Sequence, residues 1–143
     1  MELNFEKETT STIEMKNAHN KMIEFFGDMV RLEKYFGPVQ MGVWVLEYSY
    51  SLEKYKIIIE SERGFIEIRV YNDRDEIFYP KLIYSEADYS HFADKEEDVY
   101  QLINLTKRAI DNNAIVFFTE KEIVKYNKKR IKKWFIGWYI WLH

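Results

Sequence analysis

The sequence predicts an α+β domain: an antiparallel sheet of about four strands, with an N-terminal helix and two C-terminal helices packed on it. Three observations carry this. Apolar residues three and four apart run from Met15, alternation in twos follows between Trp44 and Tyr79, and the wider spacing returns after Val99. A helix brings a side chain back to one face every three or four residues and a strand every second residue, so the order of periods is the order of elements.

The chain of 143 residues reads as a single domain, 1–143, because domains cluster at roughly 100–150 residues. Apolar residues at 47% and charged residues at 31% fit a globular protein that folds in water. With only 5 Gly and 2 Pro, long flexible linkers are not expected.

The first helix is predicted over Ser11 to Phe36. Ser11 and Glu14 have capping-box spacing, and Met15, Ala18, Met22, Phe25, Met29, Leu32 and Phe36 share one face. Gly37 and Pro38 stop it. Strands follow. Trp44, Leu46, Tyr48 and Tyr50 alternate with Glu47 and Ser49; Tyr55, Ile57 and Ile59 make a second set, and Ile66, Ile68 and Val70 a third. Short polar links such as "SERG" imply an antiparallel meander. "EIFYPKLIY" reads as a fourth strand, with Pro80 at a sheet edge or bulge.

Residues 85–98, "SEADYSHFADKEED", form an acidic connection in which Lys95 is the sole lysine or arginine. Asp94 and Glu97 are placed to cap the next helix, whose inner face is Val99, Leu102, Ile103, Thr106, Ala109 and Ile110. "AIVFF", 114–118, reads as a strand or a packed link. Thr119 and Glu122 repeat the capping-box spacing and open a last helix with Ile123, Tyr126, Asn127, Ile131 and Trp134 inward. The closing "WFIGWYIWLH" is apolar all round, so Trp134 and Trp138 are expected in the core or in a homodimer contact.

Chemistry leaves little trace. There is no Cys, which excludes disulfides and thiolate metal sites. Of the 3 histidines, His19 lies off the apolar stripe and reads as solvent-facing. His91 stands three residues from Asp88 and Asp94, a spacing that binds a cation only in a folded-back segment. Asp73, Asp75 and Glu76 lie between predicted strands and read as a turn. No G-x-S-x-G and no glycine-rich phosphate loop occurs. The expectation is a protein that is not an enzyme and holds no cofactor and no metal.

Charge is the sharper feature. Residues 1–100 hold 12 Lys/Arg against 21 Asp/Glu, a net −9, whereas residues 101–143 hold 9 against 3, a net +6. The acidic part suits a basic partner. Glu86, Asp88, Tyr89, Asp94, Glu96 and Glu97 are the candidate partner-binding residues. The alternative is a nucleic-acid or membrane-surface grip through the basic patch Lys125, Lys128, Lys129, Lys132 and Lys133 with neighbouring aromatics. "MELNFEKETTSTIEM" carries no secretory pattern, and no run reaches the roughly 18 apolar residues of a spanning helix. A cytoplasmic protein is expected.

"YKIIIESERGFIEIRVYNDRDEIFY", residues 55–79, resembles the strand region of small bacterial immunity proteins of toxin–immunity systems. The resemblance covers about a sixth of the chain and is one of texture, with no diagnostic motif. It implies a compact, acidic, non-catalytic protein that neutralises a toxin by covering it, with a basic toxin domain as partner.

Overall fold

The computed structural model describes residues 2–62, 65–80 and 95–125. Helix α1 spans Thr10–Phe26 and begins on a reciprocal cap. The Thr12 amide donates to Thr9 Oγ1 at 3.2 Å, and the Thr9 amide donates to Thr12 Oγ1 at 2.7 Å. The cap therefore lies two residues before the Ser11–Glu14 pair that spacing suggested. Thr12 is buried at the third helical position, so its hydroxyl can reach back to Thr9. Met15, Ala18, Met22 and Phe26 form the buried face.

The helix ends ten residues earlier than periodicity implies. Gly27, at φ +57°, caps α1, and its N–H donates to the Ile23 carbonyl. Met29 then sits in a 3-10 turn, Gly27–Met29, while Leu32 and Phe36 belong to strand β1, Val30–Val39. The reason is pairing. Val30 and Leu32 lie opposite Tyr50 and Tyr48 and alternate with Arg31 and Glu33, so the first half of β1 fits the edge of a sheet. Phe36, the last member of the supposed stripe, is 56% exposed.

Strand β1 raises the sheet to five strands. The others are β2 (Val43–Tyr50), β3 (Tyr55–Glu62), β4 (Phe65–Tyr71) and β5 (Ile77–Phe78). Their spatial order is their order in sequence, every pair antiparallel. Pro38, after a cis Gly37–Pro38 peptide, lies in β1, an edge strand, where a missing donor costs no ladder bond. Pro80 falls two residues beyond β5, the last strand in the order. The 114–118 segment proves to be an extended link. Ile77 and Phe118 exchange backbone hydrogen bonds of 2.8 and 2.7 Å.

Helix α2, Lys95–Asp111, packs on α1 and β4. Val99, Leu102, Ile103, Thr106 and Ala109 are buried as periodicity predicted, and Leu105 joins them. Thr119 and Glu122 form the expected reciprocal cap, the Glu122 amide donating to Thr119 Oγ1 at 3.3 Å and the Thr119 amide to Glu122 Oε1 at 3.2 Å. It opens a helical stretch at residues 120–125. Asp94 and the positions expected to turn inward beyond residue 125, including Asn127, Ile131, Trp134 and Trp138, lie outside the described residues.

Both helices lie on one face of the sheet. Trp44, Leu46, Tyr48, Ile57, Ile59 and Ile68 from that face are at most 1% exposed. The tightest point of the frame is Gly37. Its φ is +85°, and a Cβ there would collide with the Val43 carbonyl oxygen and crowd Trp44. Gly37→Ala is expected to destabilise the protein by about 2–4 kcal/mol in urea unfolding, combining left-handed strain with overpacking. Gly27→Ala has the same kind of φ but nothing within 4 Å of the added Cβ, so it should cost only about 1–2 kcal/mol.

Candidate functional site

Register brings one set of element ends together. Trp44 lies opposite Ser61, Ser61 opposite Ile66, and Glu62 opposite Phe65. The start of β2, the end of β3 and the start of β4 thus form one end of the sheet. A Cβ on Gly42 would come within 3.3 Å of Ser11 Oγ, which places the β1–β2 turn beside the start of α1. Here a cleft of about 410 Å³ is lined by Thr10, Ile13, Glu14, Asn17, Ala18, Lys21, Ile66, Glu96 and Val99. It separates the N-terminal halves of α1 and α2, with the start of β4 as its floor. On the other face of the same strands lies a shallower recess of about 130 Å³, lined by Glu60, Glu62, Phe65 and Glu67.

This end is acidic. Glu14 comes from α1, Glu60 and Glu62 from β3, Glu67 from β4, and Glu96, Glu97 and Asp98 from the first turn of α2. Among the described side chains, two cations beside them, Lys21 and Arg69, are each already paired. Lys21 Nζ is 3.1 Å from Glu24 Oε2, and Arg69 Nη2 is 2.7 Å from Glu60 Oε2. Burial works against the charge on Arg69, yet Tyr71, Glu60, Tyr79 and Glu67 together raise its pKa and keep it ionised. Large exposed apolar side chains lie at the same end: Ile13 at 44% in the cleft, Phe65 at 50% in the recess, and Met41 at 69% in the β1–β2 turn. Apolar groups inside a charged rim are the ordinary make-up of a protein-binding surface.

The structure brings two of the candidate partner-binding residues to this end, Glu96 and Glu97, and Glu96 lines the cleft. Glu86, Asp88, Tyr89 and Asp94 lie outside the described residues. Of the basic patch, Lys125 is exposed, and Lys128, Lys129, Lys132 and Lys133 lie outside. Sequence reasoning missed Glu14, Glu60, Glu62, Phe65 and Glu67. The available signal was the "SERG" turn, since a hairpin there sets Glu60 and Glu62 beside Glu67 and Phe65. The "NDRDE" stretch is a turn, as predicted. Asn72 Oδ1 accepts from the amides of Arg74 and Glu76, both at 3.0 Å.

His19 corrects the expectation of a solvent-facing imidazole. It is half-buried, and its Nδ1 lies 2.8 Å from Tyr48 Oη. Tyr48 is wholly buried, which pushes its phenol pKa far up, so it remains an O–H donor. Phenol and imidazole share this one hydrogen bond, in which either group can donate according to the imidazole tautomer. Burial lowers the His19 pKa below its ordinary 6.5. The helix face on which His19 lies meets β2, a contact between residues 29 apart that local spacing cannot reveal.

Among the described residues no group of three or more His, Asp or Glu could hold a metal ion. Among them, too, no helix is long and apolar enough to cross a membrane. No protein-family model, no curated protein and no solved structure matches the chain. What is on view is therefore an α+β domain with an acidic, partly apolar end.

Burial of His19 makes stability depend on pH. As pH falls, the unfolded chain protonates His19 first, near 6.5, and the folded chain only below that. The contribution is thus full above 6.5 and is lost as pH drops through the lowered folded value. The urea midpoint should fall between roughly pH 7 and pH 5, and His19→Gln should flatten that part of the profile. An unchanged slope in the variant would contradict the lowered pKa of the buried His19.

Proposed function

We propose that the protein is a non-enzymatic binding protein that docks the acidic end of its sheet on a basic partner protein. The observation that supports this most is that carboxylates from four elements gather at one end of the sheet, Glu14 and Glu96 with exposed Ile13 at the cleft on its helix-covered face and Glu60, Glu62 and Glu67 with exposed Phe65 at the recess on the other. Opposite fields accelerate encounter and reject partners of like charge. The apolar side chains then supply the desolvated contact that holds the complex. The finer form of the reading is an immunity protein of a toxin–immunity pair, acting in the bacterial cytoplasm and neutralising a toxin by covering a basic surface on it. The resemblance of residues 55–79 agrees with this, since that stretch includes Glu60, Glu62, Phe65 and Glu67.

Affinity capture with the tagged full chain tests the reading. From a lysate of the native host, at low and at physiological salt, the chain is expected to recover a basic protein. Glu62→Lys combined with Glu96→Lys should cut recovery about tenfold or more, given the size of steering effects, with an unchanged circular dichroism spectrum. Recovery of no protein at either salt, or equal recovery by the charge-reversed chain, contradicts it.

A further inference from the structure

We infer that the cleft between α1 and α2 is the anchor pocket of this docking surface and receives one long cationic side chain, arginine in the first instance. The inference rests on the acidic-docking reading and adds what enters and where. At about 410 Å³ the cleft has room for such a side chain with accompanying water. Its floor is apolar. Ala18, Ile66 and Val99 are only 1%, 3% and 5% exposed, and Ile13 forms part of the rim. Glu14 and Glu96 line it as well, together with Asn17, whose side-chain amide can both donate and accept. An apolar floor under carboxylate walls complements a methylene stem that ends in a charged fork.

The one cation among the described residues that line the cleft does not fill this role. Lys21 Nζ is engaged by Glu24, which does not line the cleft, and stands 5.2 Å from the centre of the Tyr100 ring. Glu14 and Glu96 each have an interaction inside the protein. An ionised carboxylate offers about four lone-pair sites, so each keeps capacity for a guanidinium.

The test uses the full ¹⁵N-labelled chain and three probes: Nα-acetyl-arginine methylamide, its lysine counterpart and its citrulline counterpart, which is neutral but nearly the same shape as arginine. The arginine probe should give saturable amide shifts at Asn17, Ala18, Ile66 and Val99. The lysine probe should bind more weakly at the same amides, and citrulline should shift none of them. Glu14→Gln and Glu96→Gln, each with an otherwise unchanged amide spectrum, should weaken the arginine probe by about fivefold or more, as expected for loss of a charge-assisted hydrogen bond. Equal shifts with citrulline overturn the pocket. So do arginine shifts that fail to saturate and spread evenly over Glu60, Glu62 and Glu67. An empty cleft alongside salt-sensitive capture that still depends on Glu62 overturns the pocket and leaves the docking reading standing.

Discussion

The arrangement depends on burying one face of an antiparallel meander. Each strand sends every second side chain to that face, and β2 to β4 place Trp44, Leu46, Tyr48, Ile57, Ile59 and Ile68 there, almost wholly out of water. Each large apolar side chain stabilises by about 1.5–3 kcal/mol only if something covers it. Helices α1 and α2 supply the cover. They also pack on each other, and their N-terminal halves flank the cleft over the start of β4. The same end holds the β1–β2 turn and the paired Glu62 and Phe65, where β3 ends and β4 begins. The acidic surface is therefore a by-product of where a covered sheet must put its element ends, sharpened by the residues chosen at those ends.

Electrostatics explains why so many carboxylates can gather there. Glu96, Glu97 and Asp98 occupy the first turn of α2, where the positive end of the helix dipole favours negative charge by about 0.3–1 kcal/mol each. Glu60 and Glu67, side by side on β3 and β4, have no such support, and Arg69 with its 2.7 Å contact to Glu60 offsets part of their repulsion. The field left over points outward. A surface of this kind governs the rate of association and the choice of partner more than the final affinity, which falls to the buried side chains. Ile13, Phe65, Met41 and Val39 are exposed apolar side chains at this end.

Much of the fold was legible because its signals are local. Alternation found β2, β3 and β4, the inner face of α2 followed its period, and Thr119 with Glu122 marked a real cap. The failures have a common cause in contacts made at long range. Met29, Leu32 and Phe36 continued the helical spacing by coincidence, while Gly27 and the pairing of Val30 and Leu32 with Tyr50 and Tyr48 decided otherwise. In "TTST" several hydroxyls compete as caps, and burial of Thr12 selected Thr9. His19 read as a surface residue because Tyr48 is 29 positions away. The site followed the same rule. Glu96 and Glu97 stood out in a local acidic run, but Glu14, Glu60, Glu62 and Glu67 join them only through register and helix packing.

Hydrogen exchange of the chain, free and bound to the captured basic partner, tests the central claim most directly. The account predicts slowed exchange in the first turns of α1 and α2 and at the facing ends of β3 and β4, around Glu14, Glu62, Phe65 and Glu96. The opposite end, with the Ser51–Lys54 turn and the last turn of α2, should be unchanged. Protection confined to that opposite end, or to the basic residues from Lys125 onward, would contradict it.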